Sequence, residues 1–306
     1  MARTSNEKII FDHHNNNLYI DKYKEIISRL EKKFVYVQKS EYQSLVNFSN
    51  NKEVPIHSWY NYKHGYSRDL VRDILSNENP NKDLYVLDPF CGVGTTNLVA
   101  NEMGYNSIGL DINPLAILSS KVKNSYYSNM DIENLSDLIT KFNSSYKWEF
   151  IQIPQVIKTS FINDELNSLK RIKGYIDNIS DKKLGNFLLL AYLSIIEDVS
   201  TKMKDGNGLK YKKNKKQIKD VYEYFLKKCD SMLDDIRGIT RDQNLSHKFF
   251  DSSILIDSTF ELLKEKEIGI SIFSPPYANC FDYCEVYKLE FWLGGFVDTY
   301  QDFKKY

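Results

Sequence analysis

Two short segments of the chain combine residue types and spacings that could do chemistry. The first is Asp88-Pro89-Phe90-Cys91-Gly92-Val93-Gly94-Thr95-Thr96, which follows the apolar run Leu84 to Leu87. Its two glycines let the backbone approach a ligand closely, and a helix beginning behind them offers free N–H groups. The next apolar run ends at Asp111, where a carboxylate can accept hydrogen bonds from ribose hydroxyls. Together these features predict a site for a nucleoside ligand.

The second segment is Ser274-Pro275-Pro276-Tyr277, which follows the apolar run Ile268 to Phe273. The two prolines stiffen the loop and remove N–H donors that would compete for its carbonyls. An exocyclic amine placed there can donate to the Ser274 side chain and the Pro275 carbonyl, which turns the nitrogen lone pair towards a sulfonium methyl group, while Tyr277 can stack on the base. Methyl transfer then needs positioning and electrostatics, with no covalent enzyme intermediate.

The elements that must position these segments alternate between strands and helices. Ser67 is typical of an N-cap before a helix, and the apolar runs ending at Asp88 and Asp111 are each followed by helical spacing. This predicts a β-α-β-α unit of the doubly wound kind. A third strand is expected at Ile254 to Ile256, ending at Asp257, and a fourth at Ile268 to Phe273.

Residues 125–250 break this rhythm, because their apolar residues have mainly helical spacing. The predicted fold class is therefore α/β, with a helical insertion between the second and third strands. The expected organisation is an N-terminal arm over residues 1–53, a cofactor-binding half over 54–124, the insertion over 125–250, and a catalytic-loop half over 251–306. An amphipathic helical run near Tyr19 to Phe34 lies within the arm.

A basic segment lies within the insertion. Lys202 to Lys219 holds eight lysines against one acid, Asp205. Such a segment can track phosphates, although a charge run can equally be a solvated surface. Net charge does not decide between them, because Lys plus Arg and Asp plus Glu both number 41. The candidate DNA contacts are Lys202, Lys204, Lys210, Lys212 and Lys213.

Several classes of protein and site are disfavoured. No apolar run approaches the roughly 20 residues of a membrane span, and the start of the chain lacks an apolar signal region, so a cytoplasmic protein is expected. Four scattered cysteines do not form a disulfide framework. No Pro-Cys pair is present for attack on cytosine carbon 5, and neither His13-His14 nor the Cys280–Cys284 pair has the further ligands of a metal site.

The two chemical segments together resemble the cofactor loop and the catalytic loop of the amino-methylating DNA methyltransferases. Ser at the first catalytic position is similar to the cytosine-N4 branch. The resemblance covers roughly residues 54–124 and 251–297, and implies a class I, Rossmann-like sheet, S-adenosylmethionine as cofactor and double-stranded DNA as substrate. The implied catalytic residues are Ser274, Pro275, Pro276 and Tyr277. The implied cofactor-binding residues are Tyr66, Asp88, Phe90, Gly92, Gly94, Thr95, Asp111 and Asp257.

The chain departs from this family after Tyr277, where only 29 residues follow. A complete sheet of this class has three more strands there, so C-terminal strands are expected to be missing, either because the chain is a fragment or because a second polypeptide completes the sheet. Three alternatives stay open: methylation of adenine N6 in DNA, methylation of a guanine amino group in RNA, and a non-catalytic subunit that binds cofactor or DNA.

Overall fold

The protein is described here from a computed structural model. It describes residues 40–305 except 64, 147–152, 163, 207, 214–217, 240, 254–255 and 276–282, together with positions 21, 24–26, 28–29 and 32. The chain divides into two compact units, Met1–Gln43 and Ser44–Tyr306. The described positions between 21 and 32 of the first unit are helical, as the amphipathic run predicted.

The second unit is built on a parallel sheet of four strands. These are β1 (Tyr85–Asp88), β2 (Asn106–Asp111), β5 (His247–Asp251) and β6 (Ile268–Ser271), in the order β5-β2-β1-β6. From β1 the chain adds β2 and then β5 on one side, and it then crosses back to add β6 on the other side of β1. The strand order therefore reverses between β1 and β6. The predicted α/β class with a parallel sheet is thus confirmed.

Helices cover both faces of this sheet because side chains alternate along each strand. On one face α1 (Arg68–Glu78) and α2 (Thr95–Glu102) bury residues such as Val71 and Val99 against Val86. On the other face Leu87 packs with Leu263 of α9 (Asp257–Lys264). The predicted N-cap is confirmed, since the Ser67 hydroxyl accepts from the Asp69 N–H at 3.1 Å.

The insertion is mainly helical. After α3 (Pro114–Asn124) come α4 (Asn129–Thr140), α5 (Gln155–Lys158), α6 (Glu165–Asp177), α7 (Lys182–Val199) and α8 (Val221–Arg237). Between α7 and α8 lies an antiparallel hairpin of β3 (Lys202–Asp205) and β4 (Gly208–Tyr211). The last elements are α10 (Tyr283–Val286), α11 (Lys288–Gly294) and α12 (Tyr300–Phe303), and they share one hydrophobic core with the insertion.

Two further features concern the described residues only. Strand β6 is paired there on one side, by β1, and its other edge carries no described strand. No described helix has the length and hydropathy needed to cross a membrane.

Lys123 of α3 is a buried cation without a described counter-ion. It is 2% exposed, and its Nζ donates to the backbone carbonyl of His57 at 3.2 Å. Burial, reinforced by the nearby Lys228, lowers the pKa of Lys123 to about 7. Burying this ammonium at neutral pH therefore lowers the free energy of unfolding of the protein.

We expect Lys123→Met to raise the free energy of unfolding by about 2–4 kcal/mol at pH 7. Between about pH 7 and the ordinary lysine pKa near 10.5 the unfolded chain binds the proton more strongly, so the wild type gains stability as pH rises. The advantage of the variant should therefore shrink towards pH 10. Urea unfolding at several pH values measures this. Lys121→Met, an exposed position on the same helix, is the control. A pH-independent difference contradicts the expectation.

Candidate active site

The carboxyl ends of the four parallel strands bring polar residues to one edge of the sheet. Asp88 ends β1, Asp111 ends β2, Asp251 ends β5, and Ser274 follows β6 after two intervening residues. Open α/β sheets bind ligands outside this edge, where the strand order reverses. Because that reversal lies between β1 and β6, the glycine loop and the Ser274 segment leave the sheet side by side.

Both glycines of the loop after β1 are required by its conformation. Gly92 and Gly94 have φ angles of 50° and 78°, in the left-handed region that disfavours residues with a Cβ. A Cβ on Gly94 would also lie 2.7 Å from the Ser120 hydroxyl oxygen. Gly94 directly precedes α2, which begins at Thr95, so the loop closes tightly against the N-terminus of that helix.

Asp88 and Tyr66 form hydrogen bonds at the base of this loop. Asp88 is fully buried, and its carboxylate accepts from the Phe90 N–H at 3.0 Å and from the Tyr66 hydroxyl at 2.8 Å. The Tyr66 hydroxyl also contacts that of Thr96. Burial raises the pKa of Asp88 to about 7, and it raises the pKa of Tyr66 well above its ordinary value, so Tyr66 stays a donor. In the structure Asp88 and Tyr66 contact each other, and the cofactor contacts predicted for them from the sequence stay a prediction.

Asp111 joins the ends of β1 and β2. One carboxylate oxygen accepts from the Gly92 N–H and the other from the Asn113 N–H, both at 2.8 Å. The side chain is partly exposed, and a carboxylate can accept more hydrogen bonds than these two. Burial, with the nearby Asp251 adding to it, raises the pKa of Asp111.

Asp251 is a site residue that the sequence reasoning missed. It lies opposite Asp111 in the register of β5 and β2. The third strand was predicted at Ile254 to Ile256, but it lies at His247–Asp251, and Ile256 is the N-cap of α9, whose first residue is Asp257. Asp257 therefore does not end the third strand. The same signature that identified Asp88 and Asp111, an acid after an apolar pair, was present in Phe249-Phe250-Asp251.

The Ser274 segment is tied to β1 by its leading residues. The Ile272 N–H donates to the Leu87 carbonyl at 3.0 Å, which extends the pairing beyond β6. The ring of Phe273 lies 5.7 Å from that of Phe90 in the glycine loop. Ser274 and Pro275 follow directly, whereas Pro276 and Tyr277 lie outside the described residues.

Tyr62 is a second residue that the sequence reasoning missed. Its ring lies against the glycine loop, where a Cβ on Gly92 would be 3.1 Å from the Tyr62 Cε1 atom. Tyr62 is 8% exposed and stacks on Tyr287, with ring centroids 5.0 Å apart and planes inclined by 6°. No local sequence signal marks this contact, because its partners lie 30 and 225 residues further along the chain.

The basic segment includes the β3–β4 hairpin, and two of its lysines contact other parts of the protein. Lys204 is 4% exposed, with its ammonium held between the carboxylates of Glu197 and Glu290. Lys212 donates to the carbonyls of Glu197, Asp198 and Ser200 at the end of α7, at 2.6–3.2 Å. Such donors satisfy the last carbonyls of a helix. Lys204 is therefore too buried for the DNA contact predicted for it, whereas the contact predicted for the half-buried Lys212 stays a prediction.

The other three candidates lie at the surface of the hairpin. Lys210 is exposed and pairs with Asp205 at 3.1 Å, and Lys213 is exposed. Lys202 places its ammonium 3.0 Å from the centre of the Tyr211 ring, and that ring is 63% exposed. The hairpin thus presents cations and an aromatic face together.

Two of the described cysteines are buried, and no metal cluster is found in the described part of the chain. Burial raises the pKa values of the Cys91 and Cys229 thiols well above their usual range, which keeps both protonated. No group of three or more described His, Cys, Asp or Glu residues could hold a metal ion.

Comparison with known proteins shows what the chain is similar to. Residues 4–122 match the family model described as DNA methylase, of the N6/N4 type. The chain is 28% identical over 301 residues to the type II methyltransferase M.BsoBI of Geobacillus stearothermophilus, covering 86% of this chain and 58% of that protein. It is 25% identical over 283 residues to M.AvaI of Nostoc sp., covering 83% and 57%.

A third relative is the type II methyltransferase M.MjaII of Methanocaldococcus jannaschii, 25% identical over 266 residues, with 81% of this chain and 44% of that protein covered. The chain thus spans about half the length of the curated relatives it matches. No solved structure matches it significantly. On the family model and these relatives, the chain is similar to the N6/N4 amino-group DNA methyltransferases.

Proposed function

We propose that this chain transfers a methyl group from S-adenosylmethionine to the N4 amino group of cytosine in double-stranded DNA, as the modification activity of a restriction-modification system. The observation that carries the proposal is the adjacency of the glycine loop and the Ser274 segment at the point where the strand order reverses. A nucleoside cofactor and a target amine bound to these two loops would meet between them. The matched relatives are named type II methyltransferases, which supports the assignment.

The residues at the sheet edge fit the cofactor. The glycine loop allows close approach of the backbone, and Asp111 has free lone pairs for ribose hydroxyls. Two apolar side chains at the same edge are left uncovered, Ile112 at 52% and Phe273 at 46% exposure, and such surface suits a flat adenine ring. By position, Asp251 takes the role of adenine contact that the sequence assigned to Asp257. When bound, the cofactor supplies a methyl group on a sulfonium.

The Ser274 segment is proposed to hold the target base. The Ser274 hydroxyl and the Pro275 carbonyl accept from the exocyclic amine, while Tyr277 stacks on the ring. These contacts orient the nitrogen lone pair, and they require the base to leave the duplex. Serine at position 274 favours cytosine, because the resemblance that identified the loop associates this residue with the N4 branch.

The hairpin is proposed to contact the DNA backbone through Lys202, Lys210 and Lys213. Phosphate contacts by lysine release counter-ions, so they weaken with salt in proportion to their number. The ion pair of Lys210 with Asp205 is exposed and therefore contributes little to stability, which leaves its ammonium available to a phosphate.

We expect Lys210→Ala/Lys213→Ala to weaken binding of duplex DNA and to lower the slope of log affinity against log salt by about 2. Cofactor affinity should not change, because neither side chain touches the sheet edge. Fluorescence anisotropy between 50 and 200 mM salt measures the slope. Lys227→Ala, an exposed lysine on α8, is the control. An unchanged slope removes the hairpin from the DNA surface.

We further propose that activity needs strands outside the described sheet, contributed either by a longer form of this chain or by a second polypeptide. The supporting observation is the edge of β6 that carries no strand among the described residues, because an unpaired edge favours pairing with another strand. Residues on either side of the Ser274 segment would then be covered, which would close the pocket for the target base.

One assay tests these proposals together. The chain is incubated with duplex DNA and S-adenosylmethionine, alone and with the polypeptides encoded beside its gene, and the DNA is digested to nucleosides for mass spectrometry. N4-methylcytosine formed only in the presence of a second polypeptide is the expected result. N6-methyladenine would change the assigned base, and full activity of the chain alone would remove the second polypeptide. If neither condition yields a methylated nucleoside, the result favours the alternative that the chain is a non-catalytic subunit that binds cofactor or DNA.

A further inference from the structure

A buried charge cluster lies beneath the β3–β4 hairpin. The Lys204 ammonium of β3 contacts the Glu290 carboxylate of α11 and lies 3.0 Å from that of Glu197 on α7. The Tyr60 hydroxyl donates to the same Glu290 at 2.9 Å. Lys204 is 4% exposed and Glu290 1%, so hairpin, insertion and C-terminal helix meet around one desolvated ion pair.

Stability alone does not explain this cluster. Desolvating two charges costs several kcal/mol, and a buried ion pair often does no better than apolar residues of similar volume. One carboxylate oxygen of Glu290 also has no hydrogen-bond partner among the described residues. Although burial alone would lower the pKa of Lys204, the carboxylates of Glu290 and Glu197 outweigh it and raise this pKa, so the ammonium stays charged. What the pair does fix is the placement of the hairpin.

Aromatic contacts lead from this cluster to the glycine loop. The Lys204 ammonium lies 5.0 Å from the centre of the Tyr287 ring, and Tyr287 is fully buried. Tyr287 stacks on Tyr62, and its hydroxyl accepts from the Lys63 N–H at 2.7 Å. Tyr62 in turn lies against Gly92. A continuous set of packed side chains therefore joins the hairpin to the loop proposed to hold the cofactor.

We infer that Lys204 is a positioning residue which, through Tyr287 and Tyr62, couples binding of the cofactor at the glycine loop to binding of DNA at the hairpin. This inference rests on the proposed function. A cofactor bound at Gly92 would restrict the Tyr62 ring that packs against this glycine. Tyr62 would in turn hold the Tyr287 ring next to the Lys204 ammonium. The hairpin would then keep Lys210 and Lys213 in the positions proposed for binding DNA. Coupling of this kind is reciprocal, so DNA must tighten cofactor binding by the same factor.

The test compares the wild type with Lys204→Met/Glu290→Met, which removes both charges and keeps the volume. The probes are S-adenosylhomocysteine and a pool of 30-base-pair duplexes of random sequence. For the wild type we expect the nucleoside to tighten DNA binding by about tenfold. In the double variant this factor should fall to about one, while each ligand alone binds within about threefold of the wild type. Lys204→Met alone should be less stable than the double variant, because it leaves Glu290 buried without its partner.

Matched variants keep the outcomes distinct. Lys173→Met removes another buried lysine, paired with Asp177 on α6, and should leave the coupling unchanged. Tyr62→Leu removes the aromatic contact between the glycine loop and Tyr287 but leaves both charges in place, and it should also abolish the coupling. This variant keeps the inference testable if the double variant does not fold. Coupling that persists in both path variants, or that is absent in the wild type, overturns the inference. A wild type that binds neither probe overturns the proposed function itself.

Discussion

Replacing Asp111 by alanine is expected to weaken S-adenosylmethionine binding by about 10- to 100-fold. A hydrogen bond to a charged acceptor contributes about 1.5–3 kcal/mol, and this carboxylate is proposed to receive the ribose hydroxyls. The same carboxylate accepts from the Gly92 N–H at 2.8 Å, so its removal also frees the glycine loop. Both consequences lower affinity for the cofactor.

Isothermal titration calorimetry measures this effect directly. Asp137→Ala, which removes an exposed acid on α4, is the matched control and should bind as the wild type does. Asp251→Ala tests the neighbouring strand end, where we expect a smaller loss because no loop N–H is described as bonding to that carboxylate. If Asp111→Ala bound the cofactor with unchanged affinity, the ribose would have to be placed elsewhere.

The sheet edge could be predicted from sequence because central parallel strands carry a strong local signal. β1 and β2 are largely buried, each carries apolar residues next to its end, and each ends at an aspartate. The structure places β1 within one residue of the predicted apolar run, it ends β2 at Asp111 as predicted, and it aligns the two strands in parallel register. Local pattern and tertiary placement agree there.

The third strand was misplaced because it lies at an edge of the described sheet. β5 is paired only with β2 there, its residues are half-buried or exposed, and only Phe249 and Phe250 are apolar. The strand was predicted at the run ending at Ile256 because that run is more apolar. In the structure Ile256 is 49% exposed and lies at the start of α9. Periodicity marks buried strands better than edge strands.

The number of lysines in the basic segment did not predict that Lys204 is buried. Eight lysines in one segment indicate a basic surface, but the count does not show which ammonium is desolvated by partners elsewhere in the chain. The partners of Lys204 lie 7 and 86 residues away in sequence. The second of these, Glu290, is brought close only when the C-terminal helices pack on the insertion. Tertiary packing therefore decides the role of this lysine.

The Ser274 segment leads to the second large expected effect. Tyr277 lies outside the described residues, so its role depends on the sequence and on the position of Ser274 and Pro275 at the sheet edge. Stacking of a base on an aromatic side chain contributes about 1–3 kcal/mol. Because the proposed stack involves the extruded base and not the cofactor, its loss should separate the two functions.

Tyr277→Ala is therefore expected to lower the rate of methyl transfer about 10- to 100-fold while changing cofactor affinity less than about threefold. Tyr277→Phe keeps the ring and should retain most of the activity. Single-turnover transfer to duplex DNA, in the presence of any polypeptide that activity requires, gives the first quantity, and calorimetry with S-adenosylmethionine gives the second. If transfer and cofactor affinity fell together in Tyr277→Ala, the loop would be serving the cofactor or the fold, and the base-stacking role would be lost.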